Sequence, residues 1–99
     1  MLELAVLAVL SRGETYGYDI LAQLEDAGLS GVGDASVYGT LRRLEEAGHL
    51  HSRLATSASG PARKYYTVTE TGRQSYVSGA DTWCRIERAV DLLMNGSRS

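Results

Sequence analysis

Asp34-Ala35-Ser36-Val37-Tyr38-Gly39-Thr40-Leu41-Arg42-Arg43-Leu44-Glu45-Glu46-Ala47-Gly48-His49-Leu50 is the stretch around which the rest of the chain is organised. At 3.6 residues per turn, Val37, Leu41, Leu44 and Gly48 fall on one apolar side. Ser36, Gly39, Thr40, Arg43 and Glu46 fall on the other, with Tyr38 and Arg42 on a flank. The pattern predicts an amphipathic helix, with Asp34 placed to cap its start and Gly48 to end it in the left-handed conformation. Its outer face is small and hydroxylated at the N-terminal end and carries two arginines in the middle. Small residues let the first turns of a helix enter the major groove of DNA, and arginine reaches phosphates or guanine edges. A half-buried helix with an ordinary solvated face fits the same pattern, so the helix alone leaves both readings open.

The residues that follow narrow the choice. His49-Leu50-His51-Ser52-Arg53-Leu54 alternates polar and apolar residues, the two-residue period of a half-buried strand. Residues 55–62 are small and polar and hold Gly60 and the single proline, Pro61, which predicts a turn. Arg63-Lys64-Tyr65-Tyr66-Thr67-Val68 is rich in aromatic and β-branched residues and predicts the returning strand. A helix followed directly by a hairpin with a basic base is a helix-plus-wing arrangement. In it, Arg63 and Lys64 sit where a phosphate backbone would pass beside the groove.

Several segments together resemble one family. Tyr16-Gly17-Tyr18-Asp19-Ile20, Ser36-Val37-Tyr38, the run from Leu41 to Gly48, and the run from Arg63 to Gly72 look like those of the PadR family of transcriptional regulators, in order and in spacing. The similarity extends over essentially the whole chain. It implies a dimeric, ligand-responsive repressor, with a winged helix-turn-helix and a C-terminal dimerisation helix, in the short branch with one long helix after the wing. The sequence departs from the family pattern at Gly39, where proline often follows the tyrosine. Glycine is the poorer helix former there, so the groove end of the helix is expected to be looser.

Ninety-nine residues suffice for one small domain whose modest core association would extend. No apolar span is long enough for a membrane helix, and the apolar start, Met1 to Leu10, carries Glu3 and lacks the basic flank of a signal peptide. The single cysteine, Cys84, cannot form an intramolecular disulfide, which fits a reducing cytoplasm. The net charge is −2, unusual for a protein that binds nucleic acid. Its distribution matters more. Between Arg42 and Arg73 there are six basic and three acidic residues, against four basic and nine acidic elsewhere. A positive stretch on an acidic body suits docking to one face of a polyanion.

The remaining elements read as a first helix over Leu2–Leu10, apolar nearly all round, and a second from Tyr16 to about Ala27, capped by Thr15. Gly17 between two tyrosines permits close approach of a neighbouring helix or of a DNA phosphate. Residues 28–33 form a glycine-rich turn that follows a helix and lacks the lysine of a phosphate-binding loop. Thr69 is placed to cap a helix running to about Asn95, roughly 27 residues or about 40 Å. That is longer than the small domain can cover. Its apolar side, Tyr76, Ala80, Trp83, Val90 and Met94 with Val77, Ile86 and Leu93 beside it, is therefore expected to meet a second subunit. His49 and His51 share one side of a strand but lack a third ligand, so no metal site is expected. Cys84 lies within a helix with no neighbouring base, and no nucleophile–base pair or paired carboxylates stand out, which argues against an enzyme.

The expectation is thus an α+β, mostly α chain: a winged helix-turn-helix DNA-binding domain over residues 1–68 and a long C-terminal dimerisation helix over 69–99. Ser36, Thr40 and Arg43 are expected at base edges, and Tyr38, Arg42, Arg63, Lys64 and Tyr18 on the backbone of a double-stranded operator. Trp83, with Tyr76 and Leu7, is the candidate site for an aromatic or hydrophobic small-molecule effector, because paired indoles at a two-fold axis would form a slot. An interface-core tryptophan fits equally. The partners expected are operator DNA, a second copy of the chain and the effector, with no cofactor, metal or membrane. The rival reading is a winged-helix protein–protein module that turns the same helix toward an acidic partner.

Overall fold

The computed structural model describes residues 1–57 and 60–96. Its elements run α1 (Leu2–Leu10), β1 (Thr15–Tyr16), α2 (Gly17–Asp26), α3 (Asp34–Glu46), β2 (Leu50–Ser57), β3 (Gly60–Val68) and α4 (Glu70–Asn95). The three strands form an antiparallel sheet in the order β1-β3-β2. No helix among the described residues is long and apolar enough to cross a membrane.

The core lies where α1, α2 and α3 meet under the sheet. Val6, Leu7, Val9 and Leu10 of α1 face Ile20 and Leu24 of α2, Val37, Leu41 and Leu44 of α3, and Leu50 and Tyr66 of the sheet. Burial at three- and four-residue spacings is what the apolar pattern of each helix dictates. The apolar residues of α1 outside this set, Leu2, Leu4, Ala5 and Ala8, line an open groove. That division accounts for a helix without a polar face.

Several local expectations are corrected. Tyr16 does not begin α2 but caps it from an extended backbone, and with Thr15 it forms a third strand against Tyr66 and Tyr65. The Thr15 hydroxyl donates to the Asp19 carboxylate at 2.7 Å instead of capping the helix through the backbone. Gly33, not Asp34, is the N-cap of α3, and no side chain caps it. The hairpin strands extend further than expected, β2 to Ser57 and β3 from Gly60, so the turn expected over 55–62 is mostly strand, while residues 58–59 lie outside the described ones. Arg63 to Val68 pair with Ala55 back to Leu50, and past an irregularity after Ala55 the ladder ends with Ser57 opposite Gly60. His49 sits ahead of β2, not within it.

Other expectations hold. Gly48 has φ 82°, and the His49 and Gly48 amides reach back to the Leu44 and Glu45 carbonyls at 2.8 and 3.0 Å, closing α3 as a left-handed stop. Thr69 caps α4, its hydroxyl oxygen accepting from the Gly72 amide at 3.1 Å. At Gly72 the new helix crosses so close to the end of α3 that a Cβ would overlap the His49 carbonyl. Thr69 and Thr71 both donate to the Gly48 carbonyl, at 2.6 and 2.9 Å, so the start of α4 is bound to the end of α3. Beyond this anchor α4 leaves the domain: every described residue from 81 to 96 is exposed, and the longest dimension of the molecule is 61 Å.

Candidate nucleic-acid interface

The outward side of α3 is formed by Ala35, Tyr38, Arg42 and Glu46, all exposed, with Gly39 among them. Ala35 and Gly39 keep the centre of this surface low, which suits close approach to a groove floor. Arg42 has no carboxylate partner among the described residues. Thr40 is not part of this surface. It is fully buried, its hydroxyl donates to the Ser36 carbonyl at 2.8 Å, and it accepts from Arg43 at 3.1 Å. Thr40 lies three residues after Val37 and four before Leu44, on the edge of the core stripe, and the bond to the preceding turn lets a hydroxyl enter the core satisfied. The expectation that it faces base edges is therefore wrong.

Ser36 and Arg43 are exposed but lie on the flank nearest α1. Arg43 pairs with Glu3 at 3.6 Å, with side chains 62% and 53% exposed. So exposed a pair contributes less than about 1 kcal/mol, and it leaves the arginine free to exchange Glu3 for a stronger partner.

On the opposite flank, four of the expected backbone-contact residues converge. Tyr18, Tyr38, Arg63 and Lys64 line one cleft of about 380 Å³ with Tyr16, Gly17 and Tyr66. Within the cleft, Tyr38 packs directly on the bare backbone of Gly17. A Cβ there would stand 2.5–2.8 Å from the Tyr38 ring and hydroxyl. The close approach that the glycine permits is thus to a neighbouring helix. Above it, Lys64 reaches Glu45 at 3.4 Å, and Glu45 also accepts from the Ser52 hydroxyl. The Ser52 hydrogen bond, then the charge of Lys64, holds the Glu45 carboxyl below the ordinary value of 4.5 against the opposing effect of burial.

The two wing arginines differ in their partners. Arg53 donates twice to Glu14, at 2.9 and 2.7 Å, and the pair holds Glu14 below its ordinary value. Arg53 therefore contributes little free positive charge. Arg63 lies over the Tyr16 ring at 4.4 Å and has no carboxylate partner among the described residues. Nothing in the local sequence distinguished them, because Glu14 is 39 positions from Arg53.

The expected effector residues divide similarly. Tyr76 and Trp83 line an apolar groove of about 720 Å³ between α1, α4 and the turn before α3. Leu7 does not. It is 3% exposed and belongs to the core, and it reaches Trp83 only across a smaller cleft on the far side of Leu4. Gly33 and Ser36 also line the larger groove, so it extends to the first turn of α3.

Over residues 6–78 the sequence matches the Transcriptional regulator PadR-like family. The chain belongs to that family. It is a winged-helix transcriptional regulator of the PadR family, and members of that family are regulators, not enzymes. It is 30% identical over 76 residues to the negative transcriptional regulator PadR of Bacillus subtilis strain 168, an alignment spanning 75% of this chain and 42% of that protein. The crystal structure of a PadR-like transcriptional regulator from Bacillus cereus strain ATCC 14579 superposes with a TM-score of 0.86 at 30% identity, over 95% of this chain and 91% of that one. Bacillus subtilis PadR, solved in complex with operator DNA, superposes with a TM-score of 0.74 at 26% identity, over 81% of this chain and 46% of that one. The family match over residues 6–78 spans α2, α3 and the β2–β3 hairpin, the elements that carry the candidate DNA-contact residues.

Proposed function

We propose that this PadR-family chain is a dimeric repressor that places α3 in the major groove of a two-fold-symmetric operator and the β2–β3 wing on the adjacent backbone. The observation that carries this reading is the convergence of Tyr18, Tyr38, Arg63 and Lys64 on one cleft beside the low outer surface of α3. Tyrosine hydroxyls and basic side chains are phosphate partners, and phosphate contacts fix the register of a reading helix. Arg42 adds a further backbone contact. Ser36 and Arg43 read base edges at the α1 flank, and Thr40 belongs to the core beneath them. The operator complex of the Bacillus subtilis relative supports the same assignment for a chain of this fold.

Dimerisation is supported by the distal half of α4. Ile86, Val90, Leu93 and Met94 continue the side of the helix that carries Gly72, Tyr76 and Trp83, and they are 50%, 46%, 82% and 74% exposed. A bare apolar stripe of this length is a partner-binding surface, and a second copy supplies an identical one under two-fold symmetry. The groove beside Trp83 then takes an aromatic or hydrophobic effector. Because that groove extends to Gly33 and Ser36, a ligand in it touches the first turn of the recognition helix. An effector that binds one spacing of the two recognition helices better than another changes operator affinity by that difference.

The test is binding to DNA upstream of the chain's own gene against a random duplex, titrated with salt. A preference of about a thousandfold or more, weakening as salt rises, is the expected result. Arg43→Ala is expected to cost about 1–3 kcal/mol on the preferred site and relax its specificity. Lys64→Ala is expected to weaken all duplexes alike and reduce the salt slope by about 1. Equal and weak binding to both duplexes, unchanged by either substitution, would refute the proposal and assign the basic surface to a protein partner.

A further inference from the structure

The outer face of the sheet carries a row of side chains that DNA contact by itself does not explain. Tyr16, Tyr65 and Arg53 stand directly opposite one another across β1, β3 and β2. Tyr16 and Tyr65 meet edge to face with centroids 5.4 Å apart. Arg53 lies 5.4 Å from the Tyr65 centroid and is held at its outer end by two hydrogen bonds to Glu14. Arg63, two residues before Tyr65 and so on the same face, lies 4.4 Å from the Tyr16 centroid. Five residues thus form one continuous stack from the turn after α1 to the basic base of the wing.

We propose that Tyr16 is a positioning residue for DNA binding, a platform that holds the Arg63 guanidinium in the orientation in which it meets the phosphate backbone. The two arginines use their donors differently. Arg53 directs its Nε and Nη2 donors to Glu14, so it serves as the fixed end of the stack. Arg63 uses the flat face of its guanidinium against Tyr16, which leaves the N–H donors around its edge available to phosphate oxygens. An exposed arginine on a wing otherwise loses its rotamer freedom only when it binds, and that loss opposes binding. The two-residue strand β1 gains a purpose here: pairing Thr15 and Tyr16 to β3 places the ring beneath Arg63. The inference rests on the reading that Arg63 contacts the DNA backbone, and its test separates the two.

The test compares four variants of the full chain, Tyr16→Leu, Tyr16→Phe, Arg63→Ala and Arg63→Lys, with the double variant Tyr16→Leu/Arg63→Ala, on one duplex across a salt series. Tyr16→Leu is expected to lower affinity by about two- to fivefold per subunit, the range for one exposed cation–π contact. It should also lower the salt slope by about 0.9 per subunit, as if one phosphate contact were gone. Tyr16→Phe keeps the ring and should bind as the parent does. The double variant should bind no worse than Arg63→Ala alone, because the two residues act as one unit. Arg63→Lys keeps charge and fold but not the flat stack, and should lose affinity by a similar factor. If Arg63→Ala lowers affinity and slope while Tyr16→Leu and Arg63→Lys bind as the parent, the platform is disproved with the phosphate contact intact. If Arg63→Ala changes neither affinity nor slope, the DNA role of Arg63 falls, and the platform falls with it.

Discussion

The molecule has two bare surfaces, and they are bare for opposite reasons. The outer side of α3 and the wing base expose Arg42, Arg63, Lys64 and two tyrosine rings. The distal half of α4 exposes Ile86, Val90, Leu93 and Met94. Charge in water is well solvated and leaves it only for a polyanion that releases counterions in exchange. Apolar surface is poorly solvated and leaves water for any dry, complementary partner. One surface should therefore bind more weakly as salt rises, and the other should scarcely respond. Exposure by itself means little; the chemistry of what is exposed indicates the partner. The helices that carry the two surfaces meet at Gly72, where α4 is seated on the end of α3 without room for a side chain.

The largest expected effect comes from breaking the apolar surface. Leu93→Glu should shift the chain from dimer to monomer in sedimentation, weakening association by at least about a hundredfold, because an unpaired carboxylate would enter a dry interface. Its circular dichroism should be unchanged, since Leu93 is 82% exposed. A variant that remains dimeric would place the interface elsewhere and leave the α4 stripe unexplained.

A smaller effect sharpens the other surface. Thr40→Val keeps shape but removes the hydroxyl that donates to Ser36 and accepts from Arg43. It should lower stability by about 1–2 kcal/mol in urea unfolding, the range for a lost internal hydrogen bond, while leaving the ranking of DNA sequences as it was. A changed sequence preference at unchanged stability would return Thr40 to the groove.

The smallest effect is one of pH. Glu45 titrates below 4.5 in the folded chain, chiefly because the Ser52 hydroxyl donates to it. Lowered in the native state, it adds stability at pH values above 4.5 that is lost as pH falls through the folded value. Glu45→Gln should flatten that acid limb of the urea midpoint against pH while changing little at neutrality. An unchanged acid limb would mean that the Ser52 and Lys64 contacts do not persist in solution.

Much of this fold is legible in the sequence. α1 ends where the apolar run ends, Gly48 and Thr69 stop and start helices as their chemistry requires, and the hairpin follows from alternation, although its strands take up most of the small polar stretch expected as the turn. These features depend on neighbours three or four residues away, the distance over which periodicity and capping act. The PadR resemblance was legible for the same reason, since its motifs are local runs. Tyr18, Tyr38, Arg63 and Lys64 were legible as residue types, and tertiary structure then brought them into one cleft.

What the sequence left open was decided by contacts between distant elements. Helical periodicity assigns Thr40 to the outer side of α3, but the core closes over it and the Ser36 carbonyl satisfies its hydroxyl. Leu7 is expected beside Trp83 and Tyr76, but α1 turns it into the core and lines the groove with other residues. Arg63 is expected on the DNA backbone and Arg53 is given no role; only folding shows that Glu14, far away along the chain, binds Arg53, while Arg63 lies against Tyr16. The amino-acid sequence by itself determined which elements form and which chemistry they carry, because propensity, periodicity and capping act over a turn or two of chain. Only the tertiary structure decided which charges are free, which hydroxyl is buried and which ring supports which arginine, because those depend on distances that folding alone sets.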